Sequence, residues 1–329
     1  MKRILCALLG VMLLLTAFTL VSCENEPTND PETLKFGLGV YVNVSKAESA
    51  TADADGEGKV AVTAAAVTLG ADGKIVSCVL DTAEATVKYT TDGKAIANDS
   101  FKTKYELGED YGMVKYGAKT EWYAQADAFM ALVKGKTVDQ VKALVAEGNK
   151  GTDEVINAGC TIMINEFVLA IEKACKNAVD SNATAANTLK LGMYTEQTCT
   201  DATADKNGQS KLETTMFAAA VDADGKVVVA STDCAQIAFT FDATGASTYD
   251  LTKAVATKKE LGDDYGMVKY GAKAEWYAQA AAFDAACAGK TVAEIAGFMG
   301  EDNYGSADIK AAGCTILVNG FVKAAQKIG

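Results

Sequence analysis

One block of sequence appears twice in this chain. Residues 106–129 read ELGEDYGMVKYGAKTEWYAQADAF, and residues 260–283 read ELGDDYGMVKYGAKAEWYAQAAAF. The copies stay in register, without a gap, as far as Phe167 and Phe321. A period of this size marks a duplicated globular domain, not a solenoid of short repeats. The fold must therefore be a unit that can be made twice, and what one unit does its twin is expected to do. Repeat one spans 35–178 and repeat two 189–329. The small polar stretch VDSNATAANT, 179–188, reads as a linker between them. Each unit is long enough for its own core.

Upstream of the repeats, MKRILCALLGVMLLLTAFTLVSC places Lys2 and Arg3 before an apolar run from Ile4 to Leu20. This is the layout of a secretory signal, and the run is short for a membrane anchor. Leu20-Val21-Ser22-Cys23 has the form of a bacterial lipobox. Residues 1–23 are thus expected to be a lipoprotein signal peptide, with Cys23 acylated. Buried acyl chains anchor at about 0.8 kcal/mol per CH₂. The expected partner is a lipid membrane, cell or outer, with the body lipid-anchored on the extracytoplasmic side. Residues 24–34 follow as a polar tether that carries both prolines of the chain.

Composition narrows the chemistry. The chain has no histidine, which removes His-based acid–base catalysis, His-containing triads and His-ligated zinc. Its net charge of -12 disfavours nucleic acid as a partner. Beyond Cys6 and Cys23 there are seven cysteines, at 78, 160, 175, 199, 234, 287 and 314. An odd number argues against a complete disulfide framework. No metal site and no catalytic residue stands out, and the chain does not read as an enzyme.

Each repeat opens with strands. Gly39-Val40-Tyr41 matches Gly192-Met193-Tyr194, and KVAVTAAAVTLG (59–70) and KLETTMFAAAV (211–221) follow. Asp72-Gly73 and Asp224-Gly225 signal hairpins. ATVKYT (85–90) and QIAFTF (236–241) are candidates for a further strand. The second half of each repeat is helical. Trp122, Ala126, Phe129 and Val133 recur at helical spacing, as do Trp276, Ala280, Phe283 and Cys287. Thr137 and Thr291 open capping boxes. GCTIMIN (159–165) and GCTILVN (313–319) suggest a short strand and an Asn cap, at Asn165 or Asn319, before a last helix. The predicted class is α+β: two tandem copies of a small antiparallel sheet packed by C-terminal helices.

Several motifs have bland readings. Gly-Lys-Thr at 135–137 and 289–291 lacks the leading glycine of a phosphate loop, since Met130 and Asp284 stand there. The acidic turns at 53–58 and 205–208 lack the bidentate acid of a calcium loop. Glu121 and Glu275 read as solvated helix-end carboxylates. Tyr111, Tyr265, Trp122 and Trp276 have two open readings: rings that grip a flat ligand, or core residues. Cys160 and Cys314, in a repeated Gly-Cys-Thr, could pair, react, or simply be buried.

The order of these features resembles bacterial lipoproteins that carry FMN-binding domains, and the related spirochaete major membrane immunogen lipoproteins. The residues that carry the resemblance are the Gly-x-Tyr strands, the Asp-Gly-Lys hairpins, YELGEDYGM and KELGDDYGM, and EWYAQA followed by GKT. In flavin-binding relatives an Asp-x-x-Ser/Thr-Gly-Ala-Ser/Thr motif accepts FMN through its last Thr, as a phosphoester made by a separate transferase. The resemblance maps this onto Asp308, Gly313 and Thr315, and onto Asp153, Gly159 and Thr161. Cys314 and Cys160 replace its Ala, and the Asp-to-Gly spacing is one residue too long in repeat two and two in repeat one. The resemblance implies flavin-dependent electron transfer with unknown redox partners. The alternative is a non-redox surface lipoprotein, structural or ligand-binding, that has lost the cofactor.

Overall fold

A computed structural model describes residues 32–329. The signal peptide, Cys23 and residues 24–31 of the expected tether lie outside the described residues. Repeat one contains β1 (Thr33–Glu48), β2 (Gly56–Leu69), β3 (Ile75–Tyr89) and the short β4 (Ala95–Ile96). Its helices are α1 (Lys104–Leu107), α2 (Trp122–Val133), α3 (Val138–Lys142), α4 (Asp153–Ala158) and α5 (Asn165–Lys176). After β5 (Val179–Thr184), repeat two contains β6 (Thr188–Thr200), β7 (Gly208–Val221) and β8 (Val227–Phe241). Then come α6 (Lys258–Leu261), α7 (Trp276–Cys287), α8 (Val292–Ala296), α9 (Ala307–Ala311) and α10 (Asn319–Gln326). The class is α+β, as the sequence predicts.

The strands form two antiparallel sheets, ordered β4-β3-β2-β1-β5 and β6-β7-β8. The Asp-Gly hairpins are present, with Gly73 and Gly225 at φ 75° and 74°. ATVKYT and QIAFTF add no separate strand. They are the far halves of β3 and β8, because nothing between Ile75 and Tyr89 or between Val227 and Phe241 turns the chain. The linker stretch also takes on structure. Its first six residues, β5, pair with β1, and Ser181 Oγ donates to the Leu34 carbonyl at 2.6 Å.

Strand alternation explains the small apolar run in β2. Ala65, Val67 and Leu69 face α2 and α5, in a core with Phe129, Val133, Phe167 and Ile171. Val60, Val62, Ala64 and Ala66 face the other way, toward Leu189, Met193, Leu212 and Met216 of repeat two. In β7, Phe217, Ala219 and Val221 face Trp276, Phe283 and Phe321. The layers run helices, sheet, sheet, helices. Each repeat has a helix-side core, and a third core lies between the sheets. Residues 32–329 form one compact unit.

Equivalent residues make reciprocal contacts across the seam. Ala50 N–H donates to Gly245 O at 2.8 Å, and its counterpart Ala202 donates to Gly93 O at 2.7 Å. Lys173 pairs with Glu260 at 2.6 Å, and their counterparts Lys327 and Glu106 also pair. A pseudo-two-fold axis therefore relates the repeats.

The Gly-x-Tyr strands are explained by helix contact. A Cβ on Gly39 would lie 2.1 Å from Ala174 N in α5, and one on Gly192 would lie 2.1 Å from Ala324 O in α10. Only glycine lets these helix backbones touch the strands. Thr137 and Thr291 make their capping boxes. Asn165 and Asn319 do not cap. They are the first residues inside α5 and α10, and Ile164 and Val318 hold the cap positions without a side-chain bond. The short strand expected before them is a turn with one bridge per repeat, Lys150 to Met163 and Tyr304 to Leu317.

Candidate functional site

The repeated block builds a rigid entry to α2 and α7. Thr103 and Glu106 form a capping box on α1, as Thr257 and Glu260 do on α6. Gly108 then adopts φ 52°, ψ -122°, a conformation that side chains disfavour. Two 3₁₀ turns follow, Gly108–Tyr111 and Val114–Tyr116. Glu121 closes the loop. It is buried, and its carboxylate accepts from Met113 N at 2.8 Å and Val114 N at 3.0 Å. Glu275 makes the same bonds to Met267 and Val268. These glutamates are therefore not solvated helix ends. The tight turns point two amides inward, and one carboxylate satisfies both.

A cavity of about 470 Å³ opens in repeat two between the sheet, α7 and the turn before α10. Tyr265 and Trp276 form one wall, and Thr215 and Gly320 the floor. Glu196, Glu213 and Lys258 supply charge. Thr315, Leu317 and Tyr304 are exposed and form the mouth. Lys258 Nζ bonds Glu213 at 2.6 Å and lies 5.3 Å and 5.7 Å from the centroids of Tyr265 and Trp276. Burial opposes its charge, but the Cys234 sulfur and the Glu213 carboxylate more than offset this. The lysine stays above its usual range. In repeat one Lys104 occupies the same place over Tyr111 and Trp122, paired with Glu84 at 2.8 Å.

The structure brings some expected residues together and separates others. Tyr265, Trp276 and Thr315 share the cavity. Trp276 and Trp122 are also core residues, 4% and 3% exposed, edge-on to Phe321 and Phe167. In repeat two the core residue Trp276 thus also lines the cavity. Tyr111 donates its hydroxyl to Glu84 at 3.2 Å. The amide and hydroxyl of Thr315 both donate to Gln279 Oε1, at 2.8 and 2.9 Å. Thr161 does the same with Gln125 at the same distances.

Cys160 and Cys314 are fully buried in separate cores, and all seven described cysteines are free. Burial pushes both thiols up to about 11, so they act as small apolar side chains. Gly159 and Gly313, at φ 108° and 110°, terminate the turns after α4 and α9. Asp153 and Asp308 are exposed in the first turns of those helices, and Asp308 does not line the cavity.

Sequence reasoning missed Lys258, Gln279, Glu196 and Glu213. Lys258 and Gln279 recur as Lys104 and Gln125, so the repetition was the available signal. Glu196 and Glu213 do not recur, and only the strand register places them opposite each other. Comparison with protein-family models, curated proteins and solved structures finds no match.

Proposed function

We propose that this chain is a membrane-anchored extracytoplasmic lipoprotein that binds a small organic molecule in the repeat-two cavity, with a flavin as the first occupant to test. One observation carries the reading. Thr315, the residue the resemblance makes the FMN acceptor, stands exposed at the mouth of a cavity large enough for a small-molecule ligand. Its hydroxyl hydrogen is directed to Gln279, which leaves the oxygen lone pairs free to face outward. Thr315 would hold the phosphate end, and Tyr265 and Trp276 would flank the ring. A bound flavin supplies electron-transfer chemistry, and the chain supplies position and polarity.

The test is a visible spectrum and an intact mass of the mature protein, made in cells that hold flavin and the transferase. Flavin absorbance with FMN mass on Thr315 is the expected result. Colourless protein of unmodified mass overturns the covalent flavin reading.

A second reading, a non-redox binding lipoprotein, also has a specific observation behind it. Glu196 and Glu213 face each other, Lys258 is the single lining lysine, and the excess of negative charge repels a phosphate from the cavity interior. A rise in melting temperature with a different small molecule, and none with FMN, would support it.

A further inference from the structure

The two repeats are not equivalent at the cavity floor. Gly320 lines the floor in repeat two, and a Cβ there would meet the Thr215 hydroxyl at 2.7 Å. The matching residue in repeat one is Glu166. Strand register places Tyr41 opposite Thr63 and Tyr194 opposite Thr215, so Thr63 matches Thr215 and Asn43 matches Glu196. The Glu166 carboxylate lies between those partners. It accepts from Asn43 Nδ2 at 2.7 Å and from Thr63 Oγ1 at 3.3 Å.

Repeat two makes a similar acid–amide bond with the roles reversed. The acid is Glu196 on the strand, and the amide is Asn319 on the helix, at 2.9 Å. The helix partner has moved one residue toward the N-terminus. The strand–helix tie is thus kept, and position 320 needs no side chain.

We propose that each chain binds one ligand, in repeat two, and that repeat one is closed by its own Glu166 side chain. Position 166/320 is then the residue that decides which repeat binds. The inference rests on the cavity being a ligand site, but the openness of the two repeats can be measured without a ligand.

The chain has two tryptophans: Trp276 lines the cavity with Gly320, and Trp122 packs edge-on against Phe167, which follows Glu166 in the chain. In the full mature chain, Trp122→Phe leaves Trp276 as reporter, and Trp276→Phe leaves Trp122. Acrylamide, a small neutral quencher, reads access to each ring, and both rings are nearly buried in the wild type, Trp276 at 4% and Trp122 at 3% exposed. Glu166→Gly should raise quenching of Trp122, and Gly320→Glu should lower that of Trp276. A Trp122 whose quenching ignores Glu166→Gly overturns the proposal. The Glu166→Gly arm stands even where Gly320→Glu fails to fold. Equilibrium dialysis with FMN adds the stoichiometry: one per wild-type chain, two after Glu166→Gly. FMN that does not bind the wild type removes the flavin reading and leaves the quenching result standing. Two FMN per wild-type chain overturns the proposal itself.

Discussion

Tyr89 and Phe241 occupy the same position in their repeats and stack on each other, with ring centroids 4.3 Å apart and planes 8° from parallel. A residue that meets its own counterpart lies on the axis relating the repeats. The stack closes the ends of β3 and β8. Beneath each ring lies a glycine, Gly56 or Gly208, where a Cβ would fall 2.1 or 2.5 Å from a ring atom. The Tyr89 hydroxyl donates to the Glu48 carbonyl at 2.6 Å. With the core between the sheets, this contact makes the halves mutually dependent.

Phe241→Ala should therefore destabilise the whole unit, by about 3–5 kcal/mol, through the cavity it leaves. Urea unfolding read separately at Trp122 and Trp276 should give coincident transitions in wild type and variant. Two separate midpoints in the wild type would contradict a shared core. By contrast, Lys173→Ala should cost less than about 1 kcal/mol, because its ion pair with Glu260 is partly solvated.

Gly39 and Gly192 should not tolerate even one methyl. Gly39→Ala drives a Cβ into the backbone of α5, and Gly192→Ala into that of α10. Each should cost about 1–3 kcal/mol, as overpacking does. The check is the denaturation midpoint. Gly73→Ala is the comparison, since a Cβ there meets nothing within 4 Å and its effect comes from the turn's positive φ alone.

Glu121→Gln removes one of two acceptor oxygens and leaves a partly buried amide unpaired. The expected loss is about 1–3 kcal/mol. Hydrogen exchange should speed up at Met113 and Val114 ahead of the rest of repeat one. Unchanged exchange at those amides would show that the carboxylate does not hold the loop.

Stability should rise as the medium is acidified from pH 7.5 toward pH 5. Burial pushes the Asp81 and Asp233 carboxyls up from 3.8 to about 6, against hydrogen bonds from Thr103 and Thr257. The folded state therefore binds these protons more tightly than the unfolded chain does. Each charge costs roughly 3 kcal/mol at neutral pH, and the cost fades between about pH 7 and pH 4. Buried Asp284 is shifted in the same direction. Glu213 opposes them. Burial alone would raise it, but Lys258 and Lys211 hold it low, so its contribution is lost below pH 4.5. Melting temperature should peak near pH 5, and Asp81→Asn with Asp233→Asn should flatten the rise. A wild-type melting temperature that falls over this interval would refute the assignment.

The helix faces were legible in the sequence because Trp122, Ala126, Phe129 and Val133 carry one period, and all four are buried. The Thr137 and Thr291 capping boxes were legible because the signal lies within four residues. Strand length was not, since Ile75–Tyr89 has no punctuation and only its pairing with β2 reveals its extent. The shared core was also hidden. Val60 and Val62 look alike whether they meet the helices of their own repeat or the sheet of the other. At the site, Thr315 and Trp276 were visible as repeated residues. Gly320 was invisible, because its importance is the missing side chain that Glu166 supplies in the other copy.

The pseudo-two-fold seam has a consequence for descent. A homodimer interface must be complementary to itself, so one substitution appears on both sides at once. Joined in one chain, the two faces need only be complementary to each other, and each can change alone. Tyr89 against Phe241 shows this: one partner keeps a hydroxyl for Glu48, and the other has none. The strands of the repeats were free to diverge as a matched pair, whereas the entry loops keep the same bonds in both copies, with Glu121 and Glu275 each holding two amides. Fusion thus released the middle of the molecule from symmetry and left its repeated loops bound to their old sequence.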